Sequence, residues 1–319
     1  MNILVTGGAG FIGSNVSDAF IKEGHNVIIV DNFSSGKQEN VNPKAKVYTM
    51  DIQDPAVENI FRDEKIEVMC HHAAQMDVRR SVADPKFDAS VNVLGFLNLM
   101  EQGRKYGLKK VLFSSTGGAI YGEQDYFPAD EKHPMQPLSP YGITKLVTEK
   151  YLFFYKEIYG IDHVILRYAN IYGPRQNPHG EAGVVAIFTQ KMLKGEQPII
   201  NGEGKQTRDY VFVGDVVQAN LLGLKYSGSN IFNIGTGIET DVNQLFHHIK
   251  SLTVAKCEEK HIPAKAGEQM RSVISSKKIG EMLGWKPTVT LEEGLKKTVE
   301  FFKNKHQQVS VNTDLPKKI

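Results

Sequence analysis

The chain has 319 residues, 41% of them hydrophobic and 23% charged, which is ordinary for a globular protein of one large or two closely packed domains. Its formal net charge is only +2, and the basic residues are spread along the sequence, so nothing favours a nucleic-acid partner. Two cysteines are too few for a disulfide framework or a structural zinc site. No apolar run predicts a membrane span or a signal peptide, so we expect a cytoplasmic protein with no membrane partner.

The first half of the sequence alternates short β-branched runs with helical patterns. We predict strands in NILVTG, NVIIVD, KVYTMD, IEVMCHHA and KKVLFSS, and helices over about 13–23, 55–64 and 87–106. Strands that alternate with helices need crossover connections, which produce a parallel sheet. The predicted fold class is therefore α/β, a Rossmann-like doubly wound parallel sheet with helices on both faces.

The second half is less regular. Helices are predicted near 144–159, 183–194 and 291–303, with strands beginning in HVILRYANIYGP, RDYVFVGDVVQA and SNIFNIGTG. We predict a Rossmann domain over 1–167, with returning segments near 211–236. A smaller mixed α/β C-terminal substrate domain is predicted over residues 168–210 and 237–303. Residues 304–319 are predicted to form a mobile tail.

A glycine-rich turn, TGGAGFIG, joins the first strand to the first helix. Its Gly7, Gly10 and Gly13 allow a tight turn, and the helix N-terminus offers free N–H groups to a pyrophosphate. Asp31 ends the second strand, where a carboxylate binds both adenosine ribose hydroxyls and repels a 2′-phosphate. Because the next residue is Asn32 rather than a basic one, the sequence predicts NAD rather than NADP.

A third signal lies in LSPYGITKLVTEKY. Ser139 and Pro140 are typical of a helix start, with serine as the cap and proline at the first helical position. Tyr141 and Lys145 follow one helical turn apart, so both side chains lie on the same face. Such pairs also occur on many surface helices, so the spacing alone does not assign them a function.

Seven segments in one order resemble the extended short-chain dehydrogenase/reductase family, in its nucleotide-sugar branch and among the UDP-glucose 4-epimerases. They are GGAGFIG, DNFSSG, HHAAQ, SSTGGAIYG, YGITK, RYANIYGPRQ and TRDYVFVGDV, and the resemblance covers about residues 1–303. It implies that Tyr141 is the catalytic base and that Lys145 activates it and binds the nicotinamide ribose of NAD. Lowering a tyrosine pKa from about 10 to about 7 takes roughly 4 kcal/mol. A neighbouring ammonium and a positive nicotinamide ring together can supply that energy.

The resemblance also implies the remaining site residues. The catalytic hydroxyl is Thr116, with Ser115 as the rival because the extra glycine in TGGAIYG leaves the register open. Cofactor contacts are implied for Gly7, Gly10, Phe11, Ile12, Gly13, Asp31, Asn32, Ser35, Gly36, Asp51, Ile52, Ala73, Ala74, Asn92 and Lys145. Substrate contacts are implied for Thr116, Tyr141, Asn170, Val185, Arg208, Arg271 and Ser272. No metal site is expected, since the adjacent His71 and His72 would point to opposite faces of a strand.

The reaction implied by the resemblance follows from what stands after Thr116. Dehydratases of the family carry an Asp-Glu pair there and decarboxylases a glutamate in the same segment, whereas this chain has Gly117 and Gly118. The expectation is NAD-dependent 4-epimerisation of UDP-galactose and UDP-glucose through a transient 4-keto sugar. A small Ser272 leaves room for an N-acetyl group, so UDP-GalNAc and UDP-GlcNAc are possible substrates.

Two alternatives to this reaction stay open. One is another nucleotide-sugar enzyme, either a UDP-glucuronate 4-epimerase or a sugar-nucleotide reductase. The more remote one is a non-catalytic NAD-binding protein. The resemblance further implies a homodimer formed through the helix near 87–106 and the helix that carries Tyr141.

Overall fold

The computed structural model describes residues 1–178, 183–264 and 269–313, with side chains as far as residue 307. Its first sheet has seven strands: β1 (Asn2–Thr6), β2 (Asn26–Asp31), β3 (Lys46–Thr49), β4 (Val68–His71), β5 (Lys110–Thr116), β6 (Asp162–Tyr168) and β10 (Asn230–Ile234). They lie in the order β10-β6-β5-β4-β1-β2-β3, and every pair is parallel. This order confirms the predicted doubly wound, Rossmann-like fold.

Helices cover both faces of this sheet. They are α1 (Phe11–Lys22), α2 (Val57–Glu64), α3 (Val78–Ala83), α4 (Pro85–Ala89), α5 (Phe96–Lys105), α6 (Pro140–Tyr159), α7 (Val184–Leu193), α8 (Val213–Lys225), α9 (Val242–Thr253), α10 (Lys277–Leu283) and α11 (Leu291–Thr313). Along β1, Ile3 and Val5 enter one apolar cluster with Phe20 of α1, while Leu4 enters another with Leu99 of α5. The consecutive apolar residues of the strands therefore fill two cores, one on each face.

A smaller mixed sheet follows β6 in the chain. It consists of β7 (Asn170–Tyr172), β9 (Thr207–Phe212), β11 (Glu239–Asp241) and β13 (Arg271–Ser272), and β8 (Ile200–Asn201) pairs separately with β12 (His261–Ile262). Its register sets Ser272 opposite Arg208 and Asn170 opposite Tyr210. The smaller C-terminal sheet was expected, whereas the exact domain boundaries stay predictions.

The predicted single helix over 87–106 is wrong in its detail. The chain forms α4, then a π-helical segment over Ser90–Gly95, then α5. Asn92 lies in this π-helical segment, and its side chain bonds to the backbone N–H and carbonyl of Gln75 and to the side chains of Asp88 and Thr144. Short π-helical segments within α-helices frequently occur at functional sites.

The last helix also differs from the prediction. α11 runs to Thr313, so residues 304–313, the first part of the expected mobile tail, are helical. Residues 314–319 lie outside the described residues. Lys305 pairs with Glu39, and the run of Lys, Gln and His residues has no helix breaker. Among the described residues, no helix has the length and apolar character needed to cross a bilayer.

Candidate active site

The glycine-rich turn between β1 and α1 is closely packed. Gly7 has φ +68°, and a Cβ there would lie 2.7 Å from the backbone nitrogen of Ala73. A Cβ at Gly13 would lie 2.3 Å from the carbonyl oxygen of Gly7. Gly10 caps α1 without a side-chain hydrogen bond, so the first N–H groups of this helix are open to an anion. Phe11 and Ile12 pack against apolar clusters, so a cofactor contact from either residue would come from its backbone N–H group.

Asp31 lies beside this turn, as the sequence predicts. Its two carboxylate oxygens accept hydrogen bonds from the N–H groups of Ala9, at 2.9 Å, and Phe33, at 2.8 Å. A Cβ at Gly36 would lie 2.9 and 3.0 Å from these same oxygens, so glycine at that position keeps the carboxylate uncovered. Each oxygen still has a lone pair for a ribose hydroxyl.

The adenine-side residues form a second group. Asn32 donates a hydrogen bond of 2.8 Å to Asp51, whose other oxygen accepts from the N–H of Gln53 at 2.9 Å. Partial burial raises the pKa of Asp51, but the hydrogen bonds from Gln53 and Asn32 more than offset this and leave the pKa lowered. Ile52 is buried against Gly95, and Ser35 lies on the exposed loop after Asp31.

The geometry of the turn and its surroundings fits NAD. The glycines leave a backbone cradle that any side chain would fill, and the Asp31 carboxylate stands where an unphosphorylated ribose is bound. After the end of β4, the half-buried Ala73 and Ala74 add small apolar side chains. The N–H of Ala73 lies 3.3 Å from the hydroxyl of Thr6, which holds this segment against β1.

The helix that carries Tyr141 and Lys145 begins where the sequence places it. The Ser139 hydroxyl accepts from the N–H of Gly142 at 3.1 Å, and Pro140 opens α6. Lys145 is buried, and its ammonium donates to the carbonyl oxygen of Ser114 on β5 at 2.8 Å. The ammonium lies 5.9 Å from the centre of the Tyr141 ring, so the pair shares one face of the helix.

The chain alone does not activate this pair. Burial raises the pKa of Tyr141 above its ordinary value, and the charge of Asp88 raises it further. Burial also lowers the pKa of Lys145 to about 8, against the opposing effect of Asp88 and Glu149. A phenolate at Tyr141 therefore needs an additional positive charge, as the nicotinamide ring of NAD+ supplies when bound.

Thr116 and Ser115 have different surroundings at the end of β5. Ser115 is buried, and its hydroxyl donates to Glu149 at 2.6 Å on the helix-packed side. The Thr116 hydroxyl accepts from the N–H of Ala119 at 3.2 Å. Thr116 is half-buried, and its hydroxyl remains free to donate. This difference favours Thr116 as the catalytic hydroxyl.

Three predicted substrate residues surround Gly118. A Cβ built at Gly118 would lie 3.9 Å from the Thr116 hydroxyl, the Asn170 amide oxygen and the Ser272 hydroxyl. The polar side chains of β5, β7 and β13 therefore converge on one small space. Gly117 and Gly118 bring no acid or base into it.

The register of the mixed sheet separates the two predicted phosphate-binding arginines. Arg208 lies opposite Ser272, so both side chains leave the same face of the sheet. The Arg271 side chain lies on the other face of the sheet, where its guanidinium forms a bidentate ion pair with Glu239 at 2.7 and 2.9 Å. The guanidinium also stacks on Phe127, 3.7 Å from the centre of the ring. Arg208 thus lies on the face of this sheet that carries Ser272, and Arg271 lies on the opposite face.

Val185, a further predicted position, lies in the protein interior. The Val185 side chain is buried in the core of the smaller part, so a substrate contact from it would come from its backbone. The neighbouring residues 180–182, which open GEAGVVAIF, lie outside the described residues.

His71 bonds to the Thr6 hydroxyl at 2.7 Å and His72 to the Cys70 sulfur at 3.2 Å. Over residues 1–178, 183–264 and 269–313, no group of three His, Cys, Asp or Glu residues is arranged to hold a metal ion.

Sequence reasoning missed a buried polar layer behind the site. Glu149 lies one turn beyond Lys145 and forms an ion pair of 2.6 Å with Arg167, and both side chains are almost fully buried. On the other side of α6, Asp88 is completely buried beside Thr144. The continuation of the helical spacing to Glu149, and an arginine inside the apolar strand HVILRY, were the available signals.

The parallel sheet, the glycine turn with Asp31 and the Tyr141–Lys145 pair together define a short-chain dehydrogenase/reductase of the extended type. The family model for the NAD dependent epimerase/dehydratase family matches residues 3–235. The chain belongs to this family.

Three solved structures are similar to the chain over nearly its whole length. A UDP-glucose 4-epimerase from Thermotoga maritima, solved with UDP-glucose, is 52% identical with a TM-score of 0.94, covering 96% of this chain and 100% of that one. A UDP-glucose 4-epimerase from Thermus thermophilus, in complex with NAD, is 42% identical with a TM-score of 0.91, covering 95% and 99%. A UDP-N-acetylglucosamine 4-epimerase from Methanobrevibacter ruminantium, in complex with UDP-N-acetylmuramic acid, is 34% identical with a TM-score of 0.89, covering 95% and 98%.

Proposed function

We propose that this chain is a UDP-glucose 4-epimerase, an NAD-dependent isomerase that interconverts UDP-galactose and UDP-glucose in galactose metabolism. The observation that carries the proposal is the space beside Gly118, lined by Thr116, Asn170 and Ser272, where none of these residues and neither Gly117 nor Gly118 carries a carboxylate. These five residues offer no second acid–base pair to remove water from a sugar oxidised at C4 or to assist decarboxylation. The reaction left for the 4-keto sugar is the return of the hydride to C4, on either face of the ketone.

Each site residue has its own role in the proposed reaction. Bound NAD supplies a reversible hydride acceptor and a positive charge near Tyr141. Tyr141 takes the proton of the sugar 4-hydroxyl and later returns it, while Thr116 donates a hydrogen bond to the same oxygen. Lys145, held by the carbonyl oxygen of Ser114, keeps a positive charge one turn from the phenol. Rotation of the 4-keto sugar then exposes its other face, and no net redox change results.

Arg208 is the proposed diphosphate-binding arginine, with Asn170 on the same face of the sheet. We expect Arg208→Met to raise KM for the UDP-sugar roughly 10- to 100-fold, because a charge-assisted hydrogen bond contributes about 1.5–3 kcal/mol. The turnover number changes less, since the phosphates do not react. Arg62→Met, which breaks an exposed ion pair with Asp63 on α2, is the control and shifts KM by less than about threefold. Steady-state kinetics of both variants check this, and an effect at Arg208 no larger than that at Arg62 contradicts the assignment.

The choice of sugar is a further part of the proposal. Ser272 is small and its hydroxyl faces the space beside Gly118, which leaves volume for an N-acetyl group at C2 of the sugar. The similarity to the UDP-N-acetylglucosamine 4-epimerase supports the same view. We infer that UDP-GalNAc and UDP-GlcNAc are also interconverted.

The proposed activity is tested with UDP-galactose and the NAD-loaded protein, without added reductant. UDP-glucose formed without release of NADH supports epimerisation, and the acetylated pair is assayed in parallel. Free NADH in proportion to product overturns it in favour of a reductase-type enzyme. Turnover of UDP-glucuronate alone points to the corresponding uronate epimerase, and NAD binding without any sugar turnover points to a non-catalytic protein.

A homodimer is the proposed assembly, in a cytoplasmic enzyme whose Cys70 and Cys257 are free thiols. Its support is an apolar surface on α6 and the π-helical segment, where Leu94 is 60%, Phe153 61% and Ile158 62% exposed. The guanidinium of Arg104 on α5 lies 5.0 Å from the Tyr159 ring on α6, so the surface continues across both helices.

We expect Phe153→Asp to convert a dimer into a monomer, because a charge in the centre of an apolar interface loses its hydration. Light scattering after size-exclusion chromatography gives the mass of each species. Val254→Asp is the matched control, since Val254 is 85% exposed at the end of α9 and outside this surface. An unaltered protein that is monomeric at micromolar concentration contradicts the proposed assembly.

A further inference from the structure

One buried carboxylate beside the catalytic helix is left unexplained by the proposed reaction. Asp88, on α4, is completely buried. One of its oxygens accepts hydrogen bonds from the side-chain amides of Gln75, at 2.9 Å, and Asn92, at 3.1 Å, and the other lies 2.8 Å from the Thr144 hydroxyl. All three partners are neutral, so these hydrogen bonds satisfy the carboxylate without cancelling its charge.

Asp88 contacts the first turn of α6, which carries Tyr141, through Thr144. Thr144 lies between Tyr141 and Lys145 on α6, and its hydroxyl is also 3.0 Å from the carbonyl oxygen of Tyr141. The negative charge of Asp88 raises the pKa of Lys145 against the effect of burial, and it adds to the effect of burial on the pKa of Tyr141. A charge in this place therefore acts on both members of the pair.

We propose that Asp88 is the fixed counter-charge of the Tyr141–Lys145 pair, which keeps the Lys145 ammonium charged while its contact with Thr144 holds the first turn of α6. Asp88 is a positioning residue, since it acts through Thr144 and through its field rather than on the sugar. This inference rests on the proposed function, because it assigns a role in the same proton transfer.

Among the other charged groups around Asp88, Glu149 on α6 also raises the pKa of Lys145, but it is paired with the buried Arg167. The charge that raises the pKa of Tyr141 is that of Asp88. Arg80 on α3 stacks 4.0 Å from the centre of the Phe87 ring. The π-helical segment Ser90–Gly95, which packs on α4, carries no charged residue. The remaining titratable groups on the elements packed around Asp88 are Asp77 and Arg79 at α3, Asp84 and Lys86 at α4, the buried Cys70 and His71 on β4 with the adjacent His72, and Lys150, Tyr151, Tyr155, Lys156, Glu157 and Tyr159 further along α6.

The sign of the expected effect follows from electrostatics. A nearby negative charge favours the neutral phenol over the phenolate and the ammonium over the amine. Asp88→Asn removes that charge at nearly constant shape, so the pKa values of Tyr141 and Lys145 both fall. The acidic limb of the pH profile, set by the phenol, and the basic limb, set by the ammonium, move together to lower pH.

The test compares the pH profiles of kcat/KM for UDP-galactose in the NAD-loaded protein, Asp88→Asn and Thr144→Val. We expect both limbs to shift by about one pH unit toward acid in Asp88→Asn. Thr144→Val keeps the charge of Asp88 and removes the hydrogen bonds of the Thr144 hydroxyl with Asp88, Asn92 and the Tyr141 carbonyl oxygen, so its melting temperature falls while its limbs stay in place. Asp88→Ser, neutral and smaller, carries the same expectation as the asparagine variant and replaces it if the latter does not fold. Unshifted limbs in a folded neutral variant, or an equal shift in Thr144→Val, overturn the proposal.

A second measurement needs no sugar substrate. Ultraviolet titration of tyrosinate in the NAD-loaded protein, with Tyr141→Phe subtracted, reports the ionisation of Tyr141 directly. Its midpoint falls in Asp88→Asn if Asp88 supplies the charge and stays in place if the role is only structural. The failure of this inference is therefore distinguishable from a failure of the proposed epimerisation, which would show as no sugar turnover by the unaltered protein.

Discussion

Replacement of Tyr141 by phenylalanine is expected to reduce kcat about 10³-fold while the fold and the bound NAD are retained. The ring remains packed at the start of α6, and only the hydroxyl that exchanges the proton with the sugar is lost. General acid–base catalysis by a placed side chain contributes about 10²- to 10⁴-fold, which sets the size of the effect. Initial rates with UDP-galactose, the NAD content and the melting temperature are the measurements.

The matched control for this prediction is Tyr151→Phe on the same helix. Tyr151 lies well beyond the catalytic turn and packs partly into the apolar cluster under α6, so its hydroxyl has no part in the reaction. The kcat of Tyr151→Phe should remain within about twofold of that of the unaltered protein. A Tyr141→Phe protein that keeps a tenth or more of its activity would remove Tyr141 from the role of base.

The second large effect concerns the buried ion pair behind the site. Glu149→Gln leaves the Arg167 guanidinium, whose side chain is 2% exposed, without its charged partner. Removing one member of a buried pair costs about 3–5 kcal/mol, so we expect a loss of that size in the free energy of unfolding. The activity falls as well, because Glu149 accepts from Ser115 and thereby ties α6 to the strand that carries Thr116.

The double variant Glu149→Gln, Arg167→Met separates charge from packing. With both charges removed it should recover much of the lost stability, since an apolar pair avoids the cost of a buried unpaired ion. Urea unfolding midpoints measure all three proteins. Lys277→Met, which breaks an exposed pair with Glu281 on α10, is the control and should leave the midpoint unchanged. A single variant as stable as the unaltered protein would show that the pair does not hold α6 in place.

Features defined by consecutive residues were predictable from the sequence. The seven parallel strands, the glycine turn and the cap at Ser139 each depend on residue types at fixed short spacing, and the structure has them where they were expected. Asp31 could be placed beside the turn because the ends of parallel strands meet at one edge of a sheet. The choice between Ser115 and Thr116 needed the structure, because it depends on which side chain faces Glu149.

The features that escaped prediction depend on contacts between distant segments. In the π-helical segment, Asn92 bonds to Gln75 and Thr144, which are distant in the sequence, and no local pattern encodes these contacts. The ion pair of Arg271 with Glu239 joins β13 to β11 across β9, and the phosphate contact implied for Arg271 stays a prediction. A strand of two residues has no detectable periodicity, so the face on which each side chain lies could not be derived in advance.

The proposed reaction is tested by following the hydrogen at C4 of the sugar. UDP-galactose carrying deuterium at C4 is incubated with the NAD-loaded protein, and the UDP-glucose formed is analysed by mass spectrometry and NMR. Hydride transfer from C4 and its return, with Tyr141 exchanging only the hydroxyl proton, predicts that the deuterium stays at C4. Loss of the deuterium to solvent would show that C4 is deprotonated instead, and it would contradict the proposed reaction.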